Sequence, residues 1–314
     1  MTTVDTMTVL VLASRFGDRK RPSLSAEMWH NLVSLLADSG HSPDDLFDRQ
    51  PGLSEIPGLD AELADRLSIL LDGAGAVAFE YEELRRKGVE AIGIGDETYP
   101  GRLTQLLATA APPVLFAVGE TQLLGSGGVG VVGSRNVEPE AADVAQEVAQ
   151  MAVDLGKTVV SGGAQGVDKL AMNAAFVAGG QVVGVLADSL LQRIRRADTL
   201  RALDAGNTCL ITQQHPETGF SATAAMARNK IVYALSDLTV VVATDSDKGG
   251  TWAGASEALS RGYGRVAVWR GVGEGPGNSA LERLGATPLG NVQDMSELLN
   301  SEDEEPPEQM SILG

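Results

Sequence analysis

The stretch "VVSGGAQGVDKLA", residues 159–171, runs from an apolar segment through a glycine-rich corner into the residues of a helix start. Glycines at 162, 163 and 166 open backbone angles closed to other residues and let a ligand approach the main chain. Ser161 carries a hydroxyl donor, and a helix beginning near Val167 would point its free N–H groups at an anion. Lys169 stands beside the corner. A second corner, "VVGSRN", brings Gly133, Ser134 and Arg135 to the end of another apolar run, and "ARNK" sets Arg228, Asn229 and Lys230 within a helical stretch. These residue types suit the holding of a phosphate, with amides and a hydroxyl for its oxygens and arginine and lysine for its charge. No G-x-x-x-x-G-K-[ST] loop is present. Gly128, Gly130 and Gly133 match G-x-G-x-x-G, but they precede or lie within the strand, so the dinucleotide reading is weak. A tight strand–helix turn without a ligand explains any one corner equally well; two corners beside Arg135 and Lys169 favour an anion site. Asp168 reads as a fold residue capping the helix start, because its carboxylate would repel phosphate.

The elements that must position these residues follow from the apolar pattern. Short runs at 129–133, 158–162, 182–187, 208–212, 238–243 and 265–269 alternate with helical stretches at about 138–155, 167–179, 190–205, 221–236 and 251–262. Fully apolar strands separated by helices predict an α/β, Rossmann-like, doubly wound and mainly parallel sheet over residues 97–300, with ligands beyond the carboxyl ends of its strands. Residues 1–96 read as a small all-helical domain of the SAM or helix-hairpin-helix kind, built from "EMWHNLVSLLADSG", "DAELADRLSILLDGAG" and "AVAFEYEELRRKG". In "IPGLDAELADRL" the amides near Gly58 would meet a DNA phosphate in a helix-hairpin-helix; an ordinary helix corner is the favoured reading. "YPGRLTQLLATAAPPVLFAVGE" connects the two regions, and residues 301–314 form an acidic tail expected to be disordered.

Composition narrows the function classes. The 314-residue chain is 43% apolar with a formal net charge of −18, which predicts a folded core and disfavours non-specific duplex binding. The acidity is unevenly spread. Residues 1–125 carry 19 acids and 10 bases, and residues 301–314 carry 5 acids and no base. Residues 126–300 carry 18 acids against 14 bases, and Arg193, Arg195, Arg196 and Arg201 cluster there, so a focused phosphate site remains open. No apolar run spans a bilayer and the N-terminus lacks a basic start, so a cytoplasmic protein is expected. Cys209 alone rules out an internal disulfide and reads as packing. His30, His41 and His215 are scattered, so neither metal nor cofactor is expected.

In order and spacing, "VVGSRN", "VVSGGAQGVDKLA" and "ARNKIVYALSDLTVVVA" resemble the signature segments of the DNA-processing protein A (DprA/Smf) family, and the connector from Tyr99 to Glu120 resembles its lead-in. The resemblance covers about residues 97–270. It implies a non-enzymatic homodimer that binds single-stranded DNA and loads RecA in recombination or transformation. Its pocket would fall on Arg135, Ser161, Gly162, Gly166, Arg228, Asn229 and Lys230; aromatic residues make up only 4% of the chain, so base stacking would rest on a few candidates such as Phe220, Tyr233 and Trp252. Three segments depart from the family. Met172 stands where it has a histidine; "VLADSLLQRIRRADTLRAL" replaces a Tyr-Pro segment, its arginines either a new phosphate track or a solvated face; and "SDKGGTWAGASEAL" replaces a Ser-Gly-Ser segment. The family's C-terminal winged helix is not expected. "KGGTWAGASEAL" also resembles the "GGxGTxxE" segment of LOG phosphoribohydrolases, which keeps open a nucleoside-monophosphate hydrolase using Glu257 and Arg228, or a nucleotide sensor without catalysis. Gln309, Met310, Ser311, Ile312 and Leu313 resemble a sliding-clamp-binding pentapeptide behind the acidic tether.

Overall fold

The computed structural model describes residues 4–48 and 52–301. The acidic tail from residue 302 and the clamp-like pentapeptide Gln309–Leu313 lie outside the described residues. Four helices come first: α1 (Thr6–Ala13), α2 (Ala26–Asp38), α3 (Ala61–Asp72) and α4 (Ala74–Arg85). Side chains of Asp5, Ser25 and Asp60 accept backbone N–H bonds at the starts of α1, α2 and α3, and so satisfy amides that a helix start leaves free. At Asp60 the accepted amide is that of Leu63, at 2.7 Å, consistent with an ordinary helix corner at "IPGLD". Helix α1 lies outside the helices that the sequence pattern predicts. Its residues Thr8 to Leu12 are all buried, so the sequence shows no amphipathic period there.

Among the described residues, nine strands form one sheet in the order β1-β2-β6-β5-β4-β3-β7-β8-β9. They are β1 (Glu90–Gly93), β2 (Val114–Gly119), β3 (Val129–Val132), β4 (Val159–Ser161), β5 (Val182–Val185), β6 (Thr208–Thr212), β7 (Leu238–Val241), β8 (Val266–Trp269) and β9 (Thr287–Leu289). From β6 to β9 across the sheet every pairing is parallel; β2 pairs antiparallel to β1 and β6. Strands β3 to β7 are buried along their whole length, as a sheet covered on both faces requires. The sheet therefore begins at Glu90, inside the segment expected to be helical.

Between the strands run α5 (Gly101–Leu107), α6 (Pro139–Asp154), α7 (Val167–Val177), α8 (Leu190–Arg193), α9 (Ala197–Asp204), α10 (Ala222–Leu235), α11 (Gly249–Arg261), α12 (Asn278–Arg283) and α13 (Met295–Asn300). The expected helix over 190–205 is thus two short ones, broken where Arg196 turns extended at φ −80° and ψ 137°. On one face α6 and α7 cover β3 to β5, and the core they form continues to β7, β8 and β9 with Val292 and Met295. Alongside them the N-terminal helices cover the β1, β2 and β6 end, where Phe16, Trp29, Leu67 and Val77 share a core with Val114, Phe116 and Leu210. Each such side chain contributes about 1.5–3 kcal/mol by leaving water, so helical region and sheet are welded together. His215, after β6, reinforces the seam, with Nε2 2.9 Å from a Glu80 carboxylate oxygen and its ring edge-on to Phe16 at 4.8 Å. Crossovers leave β3 in one direction toward β6 and resume at β7 in the other, which makes the β3/β7 boundary the topological switch point.

Candidate nucleic-acid interface

The glycine corner after β4 proves to hold an anion of the chain itself. Asp168, the second residue of α7, is buried, and its carboxylate accepts the Ala164 amide at 3.4 Å together with the amides of Gly133 and Gly162. Burial pushes this carboxyl above the usual range, while the Arg228 guanidinium 3.6 Å away and the loop amides draw it down. The glycines serve this packing. A Cβ at Gly162 would overlap the Arg228 guanidinium, and one at Gly166, whose φ is +83°, would overlap the main chain of Ser134 and Arg135. The two corners are consequently pressed together, with Val167 N–H donating to the Ser134 carbonyl at 3.2 Å. Amides expected to face a phosphate are thus spent inside the fold. Ser161 is corrected in the same way: it is fully buried and its Oγ donates to the Val131 carbonyl at 2.6 Å, tying β4 to β3. Ser134 is tied in like manner, donating from both its amide and its Oγ to the Ala243 carbonyl.

The "ARNK" segment of α10 divides three ways. Arg228 lies under the corner, 6% exposed. Asn229 Nδ2 donates to the Gly250 carbonyl at 3.0 Å and fastens α10 to the start of α11. Lys230 points elsewhere: its Nζ donates to the Ala110 carbonyl at 2.8 Å, and the charge near it is Glu257. Burial lowers this lysine's pKa, with Glu257 opposing. Lys230 is hence a strut between α10 and the connector, a correction to its expected place in the pocket. One residue in three points its charge inward because successive side chains on a helix turn by 100°, so a contiguous motif cannot all face one ligand.

Two basins lie on either side of a ridge made by Arg135 and Phe220 at the carboxyl edge of the sheet, and the first runs from there along the sheet to Val182 and Thr208, the first residues of β5 and β6. The Arg135 guanidinium stands over the Phe220 ring, 5.2 Å from its centre, and both side chains are exposed. On one side lies a trough of about 700 Å³ between α7 and the α8–α9 segment. Arg135, Lys169, Arg193, Arg196 and Arg201 line it, against two carboxylates, Asp188 and Asp198. Asp188 pairs with Arg193 at 2.7 Å and Asp198 with Arg196 at 3.5 Å, while Arg201 Nε donates only to the Ala197 carbonyl at 3.2 Å. Gly163, with φ +63°, contributes a carbonyl that receives Arg193 at 3.2 Å. Met172 lies on the trough wall beside Phe176 and Val177, the last 85% exposed. Exposed cations beside apolar surface suit phosphates and base faces together. Of the other stacking candidates, Tyr233 is buried and Trp252 packs against the core. Of the four arginines that read either as a track or as a solvated face, Arg193, Arg196 and Arg201 join Arg135 and Lys169 in one basin, and Arg195 does not line it.

On the other side of the ridge, at the switch point, is a crevice of about 830 Å³. Arg135, Arg228 and Lys248 are its cations, and Glu138, Glu140, Asp168, Asp245 and Glu274 its carboxylates. Glu257, required by the hydrolase reading, lines neither basin. Among the described residues no cluster of His, Cys, Asp and Glu could hold a metal ion.

An open, mainly parallel sheet whose unusual residues gather beyond its strand ends defines a Rossmann-like α/β protein. The model of the DNA recombination-mediator protein A family matches residues 90–300, more than half of the chain, and the chain belongs to that family. It is 32% identical over 187 residues to the DNA processing protein DprA of Bacillus subtilis, an alignment that spans 59% of this chain and 62% of that protein's length. The fold is similar to that of DNA processing protein A from Streptococcus pneumoniae, with a TM-score of 0.70 at 21% identity over 94% of this chain and 98% of that one. It is also similar to the Helicobacter pylori protein, whose structure describes a single-stranded DNA binding mode, with a TM-score of 0.56 at 24% identity over 67% of this chain and 95% of that one.

Proposed function

We propose that this protein binds single-stranded DNA along the trough, with Arg135, Lys169 and the α8–α9 arginines on successive phosphates and Phe220 against a base. The observation that carries this is local charge. In a chain of net charge −18, five cations meet two carboxylates in one basin that also exposes an aromatic ring. A single strand can turn its bases onto such a surface, whereas a duplex keeps them stacked away from it. In keeping with the recombination-mediator family, the strand so held is passed to RecA, in recombination or transformation, by a cytoplasmic homodimer without catalysis. Among the described residues no helix is long and apolar enough to cross a membrane.

The test is fluorescence anisotropy of a labelled oligo(dT) and its duplex at two salt concentrations. The single strand binds more tightly, salt weakens it, and Arg135→Ala lowers its affinity at least about tenfold, through one phosphate contact and the loss of the cation over Phe220. Absence of salt-sensitive oligo(dT) binding by the wild-type chain would overturn the reading.

A further inference from the structure

Positive charge also gathers in the helical region, where the composition does not favour it. Residues 1–125 hold 10 bases against 19 acids, yet four of those bases, Arg15, Arg19, Lys20 and Arg21, fall within seven residues that carry a single acid, Asp18. This segment is the loop that leaves α1, and its backbone is fixed. The Phe16 side chain is fully buried beneath it, and the amides of Lys20 and Arg21 donate to the Asp18 carboxylate and carbonyl, each at 2.9 Å. Gly17, at φ +78°, donates its N–H to a Glu80 carboxylate oxygen at 2.6 Å. The Arg21 guanidinium turns inward to the Phe16 and Leu70 carbonyls and staples the loop to α3. Arg15, Arg19 and Lys20 are left exposed, while the one carboxylate of the loop is spent on its own turn.

The loop adjoins the Arg135–Phe220 ridge. The connection between β6 and α10 carries Glu217 at the basic loop, where the Arg19 guanidinium meets its carboxylate, and Phe220 at the ridge three residues further on. Residues 217 to 220 are all exposed, so the stretch between loop and ridge is open to a ligand. It is held from below. The Pro216 carbonyl accepts Ser189 Oγ and the Leu191 N–H, both at 3.1 Å, which ties the connection to α8 and so to Arg193 in the trough. His215 faces the same Glu80 carboxylate that holds Gly17. Loop, connection and trough are therefore parts of one surface that crosses the seam. The Arg19–Glu217 pair is 59% and 44% exposed on its two sides, and a pair so placed adds little stability, so a phosphate can take the arginine over at small cost. Three outward cations with no exposed ring among them suit backbone phosphates and not bases. A single strand can bend from the ridge onto the loop, whereas a duplex, stiff over about 150 bp, cannot follow so short a step.

We propose that the loop from Arg15 to Arg21 is a second phosphate-binding surface, on the helical region, that receives the single strand where it leaves the Arg135–Phe220 ridge; this rests on the reading of the trough as a single-strand site. A strand already seated in the trough is presented to the loop at high effective concentration, so three exposed cations suffice to hold its continuation. They also fix the direction in which the strand leaves, across the seam and over a region whose other charges are mostly acidic. The test is anisotropy of the full chain with two labelled oligonucleotides. One is (dT)6, whose five phosphates match the five cations of the trough, and the other is (dT)20. Changing Arg15, Arg19 and Lys20 together to Gln is expected to weaken (dT)20 at least about tenfold and to make its salt slope shallower by about 2, with (dT)6 within about twofold of wild type and the melting temperature unchanged. Glu217→Gln removes the carboxylate that competes for Arg19 and is expected to tighten (dT)20 at least about twofold, and (dT)6 by less.

Three outcomes overturn the loop's role. They are (dT)20 affinity and salt slope that the triple variant leaves unchanged, equal losses for both lengths, which would place the loop within the trough's own site, and weaker (dT)20 binding in Glu217→Gln. The two readings fail differently. A wild-type chain that binds neither length removes the trough reading and this one with it, whereas binding of both lengths that Arg135→Ala weakens and the triple variant does not removes this one alone.

Discussion

The trough and the crevice share the Arg135–Phe220 ridge, yet one is lined by five cations and two carboxylates and the other by three cations and five carboxylates. The contrast teaches that the formal charge of −18 describes neither basin. A polyanion needs a continuous line of positive charge, which only the trough offers. What separates the two basins is a wall, the paired glycine corners, and what holds the wall is the buried Asp168–Arg228 pair.

The largest effect is expected from breaking that wall. Arg228→Ala leaves the Asp168 carboxylate buried without its cation, and urea unfolding should show a loss of about 3–5 kcal/mol. The pH dependence identifies the cause. Burial already pushes the Asp168 carboxyl up, and removing Arg228 removes an influence that lowers it. A carboxyl whose folded pKa lies above its unfolded value costs stability above that unfolded value and ceases to do so once it is protonated in the native state. The deficit of the variant should therefore shrink as pH falls from 7 toward 4. A deficit independent of pH, or one below about 1 kcal/mol, would mean that the pair does not hold the corner.

A second effect sharpens the division between the basins. Changing Arg193, Arg196 and Arg201 together to Gln removes three of the trough's five cations and none from the crevice. If each of the three meets a phosphate, the slope of log affinity for oligo(dT) against log salt should become shallower by about 2. An unchanged slope would return these arginines to the status of a solvated face paired with Asp188 and Asp198.

The sequence made the parallel strands legible because each is a short apolar run bounded by polar turns, and β3 through β8 lie where that pattern puts them. Helix α1 was hidden by its burial on every side, and β1 by its mixed, half-exposed edge position. At the site, "GSR" and "SGGAQG" correctly marked the carboxyl edge of the sheet, but which amides face outward depends on the partner they find. Here that partner is Asp168, whose like charge had suggested only a helix cap. Phe220 was legible as an aromatic residue and its place under Arg135 was not, because it lies just before the Ser221 cap of α10, outside any periodic element, and Arg135 is 85 residues away in the chain. Cys209 matches its reading: it is buried, and burial pushes its thiol up to about 12.

The smallest effect tests the edge of the comparison. Lys230 shares a tetrapeptide with Arg228 and Asn229, yet its Nζ is bound to the Ala110 carbonyl and it lines neither basin. Lys230→Gln should then cost about 1 kcal/mol of stability through the lost hydrogen bond. Oligo(dT) affinity and its salt slope should both stay at wild-type values. Loss of oligo(dT) affinity with a shallower salt slope would place Lys230 on the DNA path and move the boundary of the trough across α10. Unchanged binding with lowered stability is the result that separates a residue matching the motif from one meeting a ligand, since both lie within one turn of the same helix.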